Sequence, residues 1–148
     1  MHAQVAALAG LGLVYAGTGH RHMVEVCLRE LARPPGPELE HSADRESYSL
    51  TAGLALGFIA MGLGERLTAG GGGLADLNLP DLLHNHMVGG PRPAALSRPT
   101  GAAAGRERPP SYQIKEGDNI NIDVTSPGAT LALGMIYWGS GNRNIAAW

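Results

Sequence analysis

The sequence predicts an all-α protein, a solenoid or toroid of helical-hairpin repeats into which a small β-hairpin and a disordered loop are inserted. Residues 5–21, 50–66 and 127–143 align without gaps. Each segment is a run of small and apolar residues without Asp, Glu, Lys or Arg, followed by a Gly-x-Gly pair and then by an arginine. One such unit cannot bury its apolar face alone, so repeated units are expected to stack on one another.

Six positions are identical in all three copies, and these are the predicted structural repeat positions. They are Ala7, Ala52 and Ala129; Leu11, Leu56 and Leu133; Gly12, Gly57 and Gly134; Gly17, Gly62 and Gly139; Gly19, Gly64 and Gly141; and Arg21, Arg66 and Arg143.

The glycine in the middle of each predicted helix needs a physical reason. A glycine inside a helix costs roughly 1 kcal/mol relative to alanine. Close approach of a neighbouring helix to Gly12, Gly57 and Gly134 is the simplest compensation, because no Cβ stands in the way. The Gly-x-Gly pair suits a helix end, where a left-handed residue closes the last turn, and a second helix should follow.

The arginine after each turn argues against low-complexity drift, which is the alternative explanation of the alignment. A cation just past a helix C-terminus interacts favourably with the dipole and the last carbonyls. We therefore interpret Arg21, Arg66 and Arg143 as structural residues.

The three copies are predicted at about residues 5–32, 48–90 and 126–148 of one repeat domain that includes residues 1–148. The third copy follows after a longer interval, which indicates an insertion. Residues 91–110 are rich in Pro, Ala, Gly and Arg and are predicted to be disordered. Residues 112–124 alternate apolar and polar side chains, which favours a β-hairpin.

Local signals suggest where the helices begin and end. Asp44 or Ser47 can cap the second copy, and Ser126 with Pro127 can serve as N-cap and first residue of the third. A shorter helix is expected to start near Pro80 and to end before residues 89–90, both glycine.

Composition limits the function classes. The 148 residues are 44% hydrophobic and 16% charged with a net charge of −2, which gives no electrostatic case for nucleic acid or an anionic membrane. Residues 47–64 and 124–142 lack charge, and Gly53 with Gly57 matches a transmembrane packing motif. Their truly apolar parts are too short to span a bilayer, so buried helices are predicted instead.

The ends of the chain carry expectations of their own. No basic region or cleavage site follows Met1, so a secretory signal is not expected. Residues 145–148 resemble the start of another helix, and we expect a piece of a larger solenoid or an incomplete gene model. The single cysteine, Cys27, is interpreted as a core thiol.

No catalytic, metal-binding or cofactor-binding residues are predicted. The sequence His84-Asn85-His86 lacks the context of a nuclease metal site, and His20-x-His22 would need further ligands. An enzyme that uses these histidines remains the alternative from another class of function.

The small-residue helix followed by Gly-x-Gly resembles the proteasome/cyclosome repeat family. Residues 33–40, 44–57, 87–90 and 112–137 also resemble the cyclosome scaffold family, whereas residues 70–73 and 91–110 depart from it. The resemblance implies a ring of helical hairpins in a non-catalytic scaffold of a cell-cycle ubiquitin ligase, in nucleus and cytoplasm. Its implied partners are cullin-like, RING, tetratricopeptide-repeat and substrate-docking subunits. The alternative is a repeat-bearing non-ATPase subunit of the proteasome regulatory particle.

Overall fold

The computed structural model describes residues 2–34, 42–68, 73–91 and 119–148. A short 3-10 turn at Ala75–Leu77 precedes α5. The helices are α1 (His2–Val14), α2 (Arg21–Leu31), α3 (Ser42–Ile59), α4 (Gly64–Thr68), α5 (Leu79–Val88), α6 (Ile122–Ile136) and α7 (Arg143–Ala146).

The described residues are mostly helical, which confirms the all-α class. The predicted β-hairpin is wrong at residues 122–124, because these form the first turn of α6. Its earlier part, residues 112–118, lies outside the described residues, as do residues 92–110 of the predicted disordered loop. Within the described ranges the only β pairing is an isolated antiparallel bridge between Pro91 and Asn119.

Helix α6 begins before the predicted cap at Ser126, because an upstream residue caps it. The Asn121 side chain accepts a hydrogen bond from the Asp123 amide at 3.2 Å. The Thr125 hydroxyl donates to the His86 carbonyl at 2.8 Å, which holds this first turn against α5. Pro127 therefore lies inside the helix, at a position where its missing amide removes a hydrogen bond of the second turn.

Helix α3 also begins earlier than predicted, and neither Asp44 nor Ser47 is its cap. Its polar first turns are held by contacts with the end of α2. The Arg45 guanidinium donates to the Arg33 carbonyl at 3.3 Å, and the Ser49 hydroxyl donates to the Leu31 carbonyl at 2.9 Å. Tertiary hydrogen bonds thus extend the helix beyond the apolar pattern that predicted it.

The helices form two layers. Helices α1, α3 and α6 lie side by side, since α3 contacts both α1 and α6. They are parallel, because the turn after α1 bonds to the C-terminal end of α3 and the turn after α3 bonds to the C-terminal end of α6. The second layer consists of α2, which packs against α3, and α5, which packs against α6.

The hydrophobic core lies between the two layers. Leu28 and Leu31 from α2 meet Leu56 from α3, while Leu83 from α5 belongs to the same cluster as Ile136 from α6. Burying a leucine or isoleucine side chain contributes roughly 1.5–3 kcal/mol. The packing of α2 and α5 against the parallel layer therefore contributes to the stability of the fold.

Among the described helices, none has both the length and the apolar character needed to cross a bilayer.

Candidate functional site

The glycines in the middle of α1 and α3 lie against the next helix of the parallel layer. A Cβ on Gly12 would stand 2.7 Å from the Cα of Ala55. A Cβ on Gly57 would stand 3.3 Å from the Cα of Ala132 and 2.7 Å from the sulfur of Met135. Ala55 and Ala132 occupy the same aligned position in their copies, so the two contacts are equivalent.

The third glycine of this set, Gly134 on α6, has a different environment. A Cβ there would meet no atom of the described residues within 4 Å, and the residue is exposed. Among the described residues, no helix therefore covers the surface of α6 that corresponds to the packed surface of α3.

The closest approach between helices of the layer involves two glycines that are not among the six positions identical in all three copies. A Cβ on Gly53 of α3 would overlap the backbone of Gly128 on α6. The sequence analysis did not identify this pair, because neither glycine is repeated in the other copies. The Gly-x-x-x-Gly spacing of Gly53 and Gly57 was the available signal, and in this structure both residues pack against α6.

The alanine and leucine columns are buried in α3 and α6 and less so in α1. Ala52, Ala129 and Leu56 are fully buried and Leu133 nearly so. In α1, by contrast, Ala7 is exposed and Leu11 is partly exposed. The difference follows from position, because α1 is at the edge of the described layer.

The Gly-x-Gly turns adopt the left-handed conformation that the sequence predicts. Gly17, Gly62 and Gly139 have φ of 69°, 69° and 71°, and Gly19 and Gly141 have φ of 60° and 67°. Without a Cβ, glycine adopts this conformation at no steric cost.

Gly64 differs from the other turn glycines. It is the first residue of α4, and it lies directly against the ring of Tyr137. Glycine is therefore required at this repeated position by close packing rather than by a left-handed turn.

The turn amides connect neighbouring copies. The Gly17 amide donates to the Phe58 carbonyl at 2.9 Å, and the equivalent Gly62 amide donates to the Met135 carbonyl at 3.1 Å. The Gly19 amide donates to the Ile59 carbonyl at 2.8 Å. The last carbonyls of a helix lack partners within that helix, so each turn caps the end of the next helix in the layer.

The first of the three repeated arginines, Arg21, has its partners in the second copy rather than at the preceding helix end. Arg21 is the first residue of α2, and its guanidinium forms two hydrogen bonds to the Asp76 carboxylate at 2.7 and 2.6 Å. It also donates to the Gly73 carbonyl at 2.6 Å. Arg66 and Arg143 lie at the aligned positions and are exposed.

The geometry around Arg21 has an electrostatic consequence. The hydrogen bond from Arg21 lowers the pKa of the Asp76 carboxyl below its usual value. The pair joins the start of α2 to the segment before α5, which belongs to the second copy.

A polar cluster at the junction of α2 and α3 is partly buried. The Tyr48 hydroxyl donates to the Glu30 carboxylate at 2.7 Å, and the Arg33 guanidinium lies 5.7 Å from the centre of the Tyr48 ring. Burial and then the Glu30 interaction raise the pKa of Tyr48 to about 12. Burial also raises the pKa of the Cys27 thiol to about 11. Both groups are therefore protonated at neutral pH.

The histidines singled out by the sequence lie in different environments. His86 is buried in α5, His84 stacks on Trp148 with ring centres 4.4 Å apart, and His20 lies edge-on to Tyr15 at 4.9 Å. In the part of the chain that the structure describes, no three His, Cys, Asp or Glu side chains are grouped to hold a metal ion.

These contacts define an all-α protein whose most specialised residues serve helix-to-helix packing. The chain belongs to the APC1 fifth domain family, whose sequence model matches residues 1–148.

Several relatives of this chain carry the name anaphase-promoting complex subunit 1. The chain is 57% identical over 145 residues to anaphase-promoting complex subunit 1 from Mus musculus and from Homo sapiens, an alignment that covers 98% of the chain and 7% of each relative. It is 29% identical over 147 residues to a protein of Emericella nidulans called negative regulator of mitosis, covering 97% of the chain and 6% of that relative. The chain thus spans about 7% of the length of the mouse and human relatives.

Proposed function

We propose that this chain is a non-catalytic section of the scaffold subunit of the anaphase-promoting complex. That complex is a cell-cycle ubiquitin ligase that controls the metaphase–anaphase transition and mitotic exit. The family of the chain and the names of its relatives support this proposal over the proteasomal alternative.

The observation that carries the scaffold role is the recurrence of one interface. The contact of Gly12 with Ala55 is repeated by Gly57 with Ala132, and each is accompanied by an amide from the following turn to the neighbouring helix end. When the same interface is repeated between successive copies, the copies build an elongated or ring-shaped array. No described residue packs on the same surface at Gly134, so a further small-residue helix of the parent protein is its expected occupant.

The chemistry of the buried polar groups supports a role without catalysis. The Cys27 thiol is buried with a raised pKa, and a buried neutral thiol is a poor nucleophile. The shortest ion pair among the described residues, the exposed pair of Arg21 with Asp76, joins two segments of the chain. We therefore assign ubiquitin transfer to other subunits.

In this proposal the partners are the cullin-like, RING, tetratricopeptide-repeat and substrate-docking subunits, in the nucleus and the cytoplasm. Neither nucleic acid nor a membrane is a proposed partner, in line with the net charge of −2.

Affinity purification of the full-length parent protein from dividing cells, followed by mass spectrometry, tests this proposal. We expect cullin-like, RING and tetratricopeptide-repeat subunits to co-purify. Recovery of proteasomal ATPases in their place would contradict it. The variant Gly134→Leu should reduce co-purification, whereas Asn85→Leu, at an exposed position of α5, should not.

A further inference from the structure

The two outer helices of the parallel layer carry complementary halves of the repeated interface. On α3, Ala55 lies against Gly12 of the preceding copy, and Gly57 lies against the following copy. The residue of α1 that aligns with Ala55 is Gly10. The residue of α6 that aligns with Gly57 is Gly134. A Cβ at either Gly10 or Gly134 would meet no described residue within 4 Å.

Both surfaces can receive a helix backbone without burying a charge. Helix α1 contains no Asp, Glu, Lys or Arg, and in α6 the only such residue is Asp123 in the first turn. The exposed Ala6 of α1 aligns with Gly128, the residue that Gly53 contacts, so this side of α1 is lined by small residues. Pairing of uncharged surfaces avoids the desolvation cost of an ionised group. We call the side of α1 with Ala6 and Gly10 the α1 edge, and the side of α6 with Gly134 the α6 edge.

An aromatic residue beside the α1 edge matches a groove beside the α6 edge. Gly64 of the second copy lies directly against the ring of Tyr137. The residues aligned with these two are Gly141 and Tyr15. Gly141 lines a groove of about 460 Å³ together with Gly134, and Tyr15 is partly exposed. A second molecule of this chain can therefore place Tyr15 at Gly141, as Tyr137 is placed at Gly64.

Hydrogen bonds define the register of such a pairing. The Gly62 amide donates to the Met135 carbonyl of the next copy at 3.1 Å. The equivalent amide of the third copy, that of Gly139, has no acceptor among the described residues. The residue of α1 that aligns with Met135 is Leu13, which is 63% exposed. The α1 edge thus offers a carbonyl at the position where the Gly139 amide would need one.

We propose that the α6 edge of one molecule docks the α1 edge of a second molecule of this chain, head to tail. In this pairing Gly134 lies against the second molecule's Gly10, and the Gly139 amide donates to the second molecule's Leu13 carbonyl. Helix α3 lies between α1 and α6, so one molecule cannot join its own two edges. The inference rests on the repeated interface of the proposed function, because a second molecule here takes the place of the further helix of the parent protein.

A contact of this kind is not limited to two molecules. Each added molecule leaves one α1 edge and one α6 edge uncovered at the two ends of the array. Head-to-tail contacts therefore continue until the array closes into a ring or grows into a filament. The average mass of the purified chain should accordingly rise beyond that of a dimer as its concentration increases.

Sedimentation velocity of the purified chain at increasing concentration tests this assembly. Gly10→Leu blocks the α1 edge and Gly134→Leu blocks the α6 edge, because leucine prevents the approach of a backbone. Each should weaken self-association at least about tenfold. Asn85→Leu places the same side chain at an exposed position of α5 and should leave assembly unchanged. Circular dichroism confirms that each variant is folded.

A mixture of the two edge variants gives the sharpest measurement. The Gly10→Leu chain keeps an intact α6 edge, and the Gly134→Leu chain keeps an intact α1 edge. An equimolar mixture should therefore form a one-to-one dimer that grows no further, although neither variant assembles by itself. Because it blocks assembly, Gly10→Leu is also the background in which exchange of the Gly139 amide is measured.

Four results would overturn the inference. The first is an unaltered chain that stays monomeric at every concentration. The second is assembly that persists in both edge variants, which would show that another surface joins the molecules. The third is self-association of one edge variant alone, which would show that like edges pair. The fourth is a mixture that forms no dimer although the unaltered chain assembles. These measurements use the purified chain alone, whereas co-purification judges the scaffold proposal, so the two can fail separately.

Discussion

Gly53 of α3 and Gly128 of α6 lie backbone against backbone. A Cβ on Gly53 would overlap the Gly128 carbonyl group, and a Cβ on Gly128 would stand 2.6 Å from the Ser49 carbonyl oxygen. Backbone atoms cannot move aside as a flexible side chain can. This pair therefore sets the distance between the second and third copies.

The variant Gly53→Ala should destabilise the chain by about 1–3 kcal/mol, because the added methyl group forces two helix backbones apart. Urea denaturation measures the loss. Gly134→Ala is the matched control, since its Cβ meets no described residue and alanine is the better helix former by about 1 kcal/mol. Equal effects of the two substitutions would contradict the packing at Gly53.

The hydrogen bonds between turns and neighbouring helices predict different hydrogen-exchange rates for the equivalent turn amides. The Gly17 and Gly62 amides donate to the next helix, whereas the Gly139 amide has no acceptor among the described residues. In hydrogen-exchange NMR, the first two amides should exchange at least about tenfold more slowly than the third. Similar rates at all three positions would show that the turns do not cap the neighbouring helices.

The Arg21–Asp76 pair predicts a dependence on pH. Because the pKa of Asp76 is lowered in the folded chain, the ionised carboxylate favours folding. This contribution is complete above the ordinary value of 3.8 and is lost as the pH falls through the lowered pKa.

NMR titration of the Asp76 carboxyl measures that pKa directly. We expect Arg21→Gln to raise the midpoint towards the ordinary value. Arg66→Gln, which removes the aligned arginine of the second copy, should leave it unchanged. A midpoint that does not respond to Arg21→Gln would contradict the pairing.

The buried thiol predicts a conformational dependence of cysteine labelling. With a pKa of about 11, Cys27 holds little thiolate at pH 8, and burial excludes the reagent. Labelling by a disulfide reagent should be slow in the folded chain and fast in denaturant. A cysteine placed at the exposed position 85 in a Cys27→Ala background should react quickly in both states. Rapid labelling of Cys27 in the folded chain would show that the α2–α3 junction opens readily.

Those features of the fold that depend on local chemistry could be predicted from the sequence. Left-handed turn glycines such as Gly17 and Gly62 have a single physical explanation, and the position of Pro80 at the start of α5 follows from its missing amide.

The features that could not be predicted depend on contacts between distant segments. The N-cap of α6 is Asn121 rather than Ser126, and the Thr125 hydroxyl holds the first turn of the helix against α5. Arg21 binds Asp76, which lies 55 residues along the chain, and no local signal names that partner. Gly128 was missed because alignment of the copies favours positions that all three share, whereas its contact with Gly53 occurs once.

The most direct test of the central claim is an experimental structure of the parent protein within its assembled complex, with attention to the surroundings of Gly134. The account predicts that a small-residue helix lies there in backbone contact, as Ala55 does at Gly12, where a Cβ would stand 2.7 Å from the neighbouring Cα. It also predicts that the Gly139 amide donates to the end of that helix. Gly134 open to solvent in the complete assembly, or covered by bulky side chains without backbone contact, would contradict a scaffold built by repetition of this interface.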